Sequence, residues 1–139
     1  TPAAGHVGPM ASLIMGALGG VVCYLSCSKL KSKFRYDDSL DAFGIHGMGG
    51  ALGAVLTGVF ATRAVLDISG GEPVGMIEGN YSTILGQLAA TGITIAYAAI
   101  VSFGLLKLLD LTIGLRVSAT SERQGLDITE HGEEGHIFL

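Results

Sequence analysis

Charged side chains are scarce in this 139-residue chain, at 14% of it, against about 25% in an ordinary soluble domain. There is no Trp, only three Pro and two Cys, and aromatic residues make up 6%. Each scarcity excludes something. Eight Lys and Arg, four of them (Lys29, Lys31, Lys33, Arg35) in one short stretch, give no basic surface broad enough for nucleic acid. Cys23 and Cys27 stand four apart in an apolar run, too few for a disulfide framework and without the further Cys or His that zinc needs, so they read as small packing residues. What the chain does have is 49% hydrophobic residues and 22 Gly, with a mean hydropathy of +0.56. The Gly follow no three-residue period, which excludes collagen, and the apolar content excludes disorder. Apolar, glycine-rich and poor in charge, the chain reads as an all-α bundle of closely packed membrane helices.

Three uncharged runs are long enough to cross a hydrocarbon core of about 30 Å. They predict helices over about 7–28, 42–62 and 81–106, the second broken only by His46 and the third preceded by loop residues Gly79 and Asn80. The first run is no cleavable signal peptide, because its basic cluster follows it. A chain opening Thr1-Pro2 without Met reads as a fragment. The first connection, SKLKSKFRYDDSLD, carries four basic residues, whereas the second has Arg63 against Asp67, Glu72 and Glu78. By the positive-inside rule the first is cytoplasmic, so the N-terminus lies outside and the tail that opens with Lys107 and Arg116 lies inside. This divides the chain into a membrane region, 1–106, and a cytoplasmic tail, 107–139. Gly16 with Gly20, Gly49 with Gly53 and Gly50 with Ala54 have the small-xxx-small spacing that brings helices together in lipid.

His46 is the residue with chemistry to offer, since an ionisable group within a span normally faces the bundle interior or a cavity. If its helix is capped in the Asp37-Asp38-Ser39 cluster, His46 lies about eight residues and roughly 12 Å along it. Gly50 and Gly53 follow at i+4 and i+7, leaving the face beside the imidazole bare. Three roles compete: a buried packing histidine, a pore or proton-relay group, or an axial haem ligand in a membrane anchor. Asp41, about 140° away around a helix, is no simple partner for His46 and reads alone as a favourable charge at a helix start. The run from His131 to His136 imitates a metal cluster, but its glycines and lack of scaffold make solvated charge the better reading, with no metal expected.

TPAAG at Thr1–Gly5, DAFGIHGMGG at Asp41–Gly50, and DLTIGLRVS followed by ERQGLDITEHGEE, in this order, resemble the ammonium transporter family of Amt, Mep and Rh proteins. The resemblance implies a polytopic membrane helix bundle in which these are the last three transmembrane helices of an eleven-helix fold. It makes His46 one of two hydrogen-bonded imidazoles lining a narrow hydrophobic pore at mid-membrane, the partner His lying outside this chain. Asp41, Phe43, Gly44, Gly47 and Gly50 become structural or electrostatic residues near the pore. Arg116, Arg123, Gly125, Asp127, His131, Gly132 and Glu133 become parts of a regulatory tail. The implied function is ammonium or ammonia transport by a homotrimer of the cell membrane, plasma or inner. It involves no enzymatic step and no cofactor, and the tail is open to a PII-type signalling protein. An ammonium sensor signalling through its tail and a haem-bearing anchor subunit are the alternatives.

Overall fold

The computed structural model describes residues 1–66 and 71–133, and the regular structure among them is helical. Two compact units divide the chain, Thr1–Ile95 and Ala96–Leu139.

In the first unit, α1 (Pro9–Leu25) starts with proline at its N-terminal position, where the missing N–H would have had no helical partner. It continues through a π-helical turn, Ser26–Leu30, into α2 (Lys31–Phe34), and ends where Arg35 takes φ +50 and its N–H closes on the Lys31 carbonyl at 2.7 Å. The whole stretch, Pro9–Phe34, has 26 residues and is about 39 Å long at 1.5 Å per residue. This corrects the expected limits 7–28: Lys29, Lys31 and Lys33 ride on the helix end, and the loop proper is only 35–41. Lysine is a good helix former, no Gly or Pro interrupts 26–34, and long side chains reach the interface from a helix end.

The second span begins where expected and ends slightly before the expected residue 62. A π-helical turn, Phe43–Gly47, leads into α3 (Met48–Phe60). The third, α5 (Tyr81–Thr112), runs beyond the expected Leu106 and carries Lys107 and Asp110, 4.0 Å apart, near its end. Pro9–Phe34, Phe43–Phe60 and Tyr81–Thr112 are each long and apolar enough to cross a membrane. No residue of α5 is buried; Tyr97, Ile100 and Phe103 are about two-thirds exposed or more, at 67%, 72% and 66%. Apolar faces of that kind suit lipid or neighbouring helices.

Small residues set the contact between the first two spans. A Cβ placed on Gly44 would stand 2.5 Å from Cys27 Sγ and 3.2 Å from the Cys27 backbone nitrogen, and one on Gly49 would stand 2.9 Å from Cys23 Sγ. Both thiols are free, and Cys23 points at the Ile45 carbonyl at 3.7 Å. The cysteines therefore fill the seam that glycine opens. Gly44→Val is expected to destabilise the protein by about 1–3 kcal/mol, because the backbone of Cys27 must move to admit it. Gly50, inside α3 with nothing within 4 Å of its added Cβ, should accept Ala with an unchanged or slightly raised melting temperature, since Ala is the better helix former. Thermal unfolding of both variants checks this, and equal melting would contradict the packing.

At the far end of α3 a carboxylate ties the connections together. Glu78 ends a short 3-10 turn, Met76–Glu78, that closes on Gly79 at φ +100. Its Oε1 accepts from the Thr62 hydroxyl (2.7 Å) and the Arg63 N–H (2.9 Å), and its Oε2 from the Val74 N–H (3.1 Å) and Arg63 Nε (3.2 Å). Arg63 opens the short helix α4 (Arg63–Leu66), and the Thr62 N–H reaches the His6 carbonyl at 3.0 Å. The bond from Val74, then that from Thr62, with further help from Arg63, holds the Glu78 carboxyl at about 2 instead of 4.5. A depressed carboxylate contributes stability that is complete above its ordinary value and is lost as pH falls toward the lowered one. The melting-temperature gap between wild type and Glu78→Gln is thus expected to be constant above pH 4.5 and to close as pH falls to about 2. A gap that stays constant through that window would contradict the network.

In the second unit α5 is followed by α6 (Ala119–Gln124), whose N-cap Ser118 accepts the Ser121 N–H at 3.0 Å, and by a π-helical turn, Asp127–His131. Arg116 pairs with Glu122 at 2.8 Å. Gly125, at φ +99, separates the two turns; its N–H reaches the Ser121 carbonyl, and its own carbonyl accepts from the Thr129 N–H and hydroxyl at 3.1 and 3.0 Å. Only glycine adopts that backbone without strain.

Candidate functional site

Glycine on both facing helices opens a cleft of about 900 Å³ between α1 and α3. Gly16, Gly19 and Gly20 form one wall, Gly49, Gly50 and Gly53 the other, and the segment Thr1–Gly5 bounds it. A Cβ on Gly16, Gly19, Gly20 or Gly50 would touch nothing within 4 Å, so these residues leave volume beside the helices, while Gly44 and Gly49 bring the helices together. His46 lines this cleft with Met15, Cys23, Leu52 and Leu56. His46, Gly50 and Gly53 all line the cleft, but the face is open only at Gly50: a Cβ on Gly53 would stand 3.0 Å from Pro2 Cδ. A single imidazole among apolar and glycine walls can exchange a hydrogen bond or a proton with a small solute.

The depth expected for His46 needs correction. Its helical stretch begins at Phe43 and not in the Asp37-Asp38-Ser39 cluster, so the imidazole lies three residues, about 4.5 Å, inside it. The cap is nevertheless in that cluster. Both carboxylate oxygens of Asp38 accept backbone N–H groups across the turn, from Ala42 and Phe43, each at 2.9 Å. Asp38 therefore supplies the side-chain cap, while Asp41 also stands at the helix start. Asp41 sits in left-handed conformation at φ +54, accepts Lys31 Nζ on Oδ1 at 2.7 Å, and receives the Ile45 N–H on its carbonyl at 2.9 Å. Its carboxylate is engaged by Lys31 and not by His46, and because Asp41 lies outside the helix at φ +54 the separation of about 140° expected around a shared helix does not apply.

The other residues of the motif have distinct places. Phe43 meets Tyr36 edge to face at 5.6 Å between ring centres, and its ring lies 3.1 Å from where a Gly47 Cβ would be. Burial, then the neighbouring Asp38, pushes the Tyr36 phenol above 10. Lys31 and Glu78 escaped the sequence reading; their partners lie 10 residues away for Lys31–Asp41 and 15 and 16 away for Glu78 with Arg63 and Thr62, and no local pattern carries such pairs.

In the tail, Arg116, Arg123, Gly125, Asp127, His131, Gly132 and Glu133 fall within α6, the π-helical turn and their flanks, where Gly132 (φ +66) ends the turn and the Glu133 N–H returns to the Asp127 carbonyl at 2.9 Å. Glu134 to His136, the rest of the acidic run, lie outside the described residues.

Residues 1–136 match the Ammonium Transporter Family. An ammonium transporter of Bacillus subtilis is 45% identical over 98% of this chain and 33% of that protein, and one of Aquifex aeolicus is 45% identical over 98% and 31%. The crystal structure of Saccharomyces cerevisiae Mep2 superposes with a TM-score of 0.74 at 36% identity, covering 84% of this chain and 27% of that one. The chain thus spans about a third of the length of the curated relatives it matches. With three helices suited to crossing a membrane, a glycine-walled cleft and a family match along nearly its whole length, the chain belongs to the ammonium transporter family.

Proposed function

We propose that this chain supplies the last three helices and the cytoplasmic tail of a protein that conducts ammonium or ammonia across a cell membrane, with His46 in the path. The observation that carries the reading is the position of His46 on a cleft lined by glycines and apolar side chains of both helices. An ammonium ion loses its hydration on entering so apolar a passage, and desolvation favours the uncharged form. The ion sheds its proton, ammonia passes the imidazole, and the proton is carried separately or returned. Potassium pays the same desolvation cost with no proton to leave behind. The second imidazole comes from the part of the transporter outside this chain, and the whole protein is a homotrimer with one path per subunit. Asp41, Phe43, Gly44 and Gly47 hold the turn that bears His46, and Gly50 keeps the path open. The tail lies on the cytoplasmic side, where a PII-type protein can engage it.

Flux in liposomes carrying the whole transporter tests this. Ammonium and methylammonium are expected to cross while potassium does not. Binding without flux would support a sensor, and a Soret band in the purified protein would support a haem-bearing anchor.

A further inference from the structure

One side chain on the neighbouring helix fixes the turn from which the His46 helix hangs. Lys31, on α2, donates from Nζ to the Asp38 carbonyl at 2.6 Å and to Asp41 Oδ1 at 2.7 Å. These two acceptors bracket the turn. Asp38 gives its carboxylate to the first N–H groups of the helix, at Ala42 and Phe43. Asp41 gives its carbonyl to Ile45, the residue next to His46. Between them the chain passes through φ +54 at Asp41, a conformation that aspartate tolerates but that needs support from its surroundings. The Lys31 and Asp41 side chains are 30% and 37% exposed, so their charge attraction is worth little by itself. Geometry is what the pair provides: one ammonium group ties both ends of the turn to a different helix, and the rotation of the helix start follows.

We propose that Lys31 is a positioning residue for His46, setting the imidazole's orientation in the cleft through Asp38 and Asp41. This rests on the reading that His46 lies in the transport path. In the whole transporter, Lys31→Ala is expected to lower maximal methylammonium flux about tenfold while changing KM less than about twofold, the pattern of a misplaced group and not of lost binding. Lys31→Arg, which can still bridge the two acceptors, should recover flux to within about threefold of wild type. Flux is normalised to folded protein in the membrane, so a purely structural role would leave the normalised value unmoved. Should Lys31→Ala fail to reach the membrane, Asp41→Asn weakens the same bridge and is expected to show the same split. Wild-type flux in the bridge variants, or an equal loss in Lys31→Ala and Lys31→Arg, would overturn the proposal while leaving the path intact. His46→Ala measured alongside separates the two ideas, since an unchanged flux there would overturn both.

Discussion

Replacing His46 by Ala in the whole transporter is expected to change ammonium conduction by about tenfold or more, or to let potassium through, while the protein still folds and assembles. A tenfold change is about 1.4 kcal/mol on the barrier, which is less than the loss of one hydrogen bond to a charged or developing ion in an apolar setting can cost. The fold should survive because His46 lines a cleft and the helix contacts around it are made by others: Gly44 against Cys27, Gly49 against Cys23, and Phe43 against Tyr36. Flux and thermal unfolding measured on the same preparation decide the matter. A lowered melting temperature with unchanged flux and selectivity would make the imidazole a packing residue.

The second large effect is expected in the tail. Gly125→Asp places a β-carbon at φ +99, 2.6 Å from Asp127 Oδ1, and adds a second carboxylate beside the first. Left-handed strain of this kind costs about 1–3 kcal/mol, comparable with the coupling energies that link distant sites. If the tail couples subunits, ammonium flux should fall roughly fivefold with the protein still in the membrane, and mixed trimers should slow their wild-type neighbours as well. Leu111 and Ile113, 82% and 81% exposed, are apolar surface that a docked tail would cover. Wild-type flux in Gly125→Asp and after deletion of Ser118 to Leu139, with the tail protease-sensitive in both, would leave the tail without a coupling role.

Much of the fold is legible in the sequence because it is written in charge. Gaps between charged residues place three helices, and the glycine spacing around His46 marks the face that becomes the cleft. The errors have physical causes. Lys29, Lys31 and Lys33 carry the charge expected of a loop, yet lysine is a good helix former and no break comes before Arg35 at φ +50. How the His46 helix is capped is not legible locally, because Asp38 reaches its first N–H groups across an intervening turn and Asp41 takes φ +54, with no Gly or Pro to signal either. The Glu78 network joins residues up to 16 apart through one carboxylate, and only the packed chain brings its donors into reach. Which glycines seal the helix contact and which leave space is likewise a matter of register: Gly44 faces Cys27, while Gly50 faces the cleft.

The surroundings of the His46 ring decide its role, and the decisive measurement is the distance from the His46 imidazole to the nearest second imidazole in a structure of the whole transporter. A ring-nitrogen separation of about 3 Å, within hydrogen-bond range, with both rings facing a continuous narrow passage, is the expected result. A His46 ring bonded only within its own three-helix segment, with no second imidazole near it and the glycine-walled cleft filled by packed side chains, would contradict the assignment of this residue to the path.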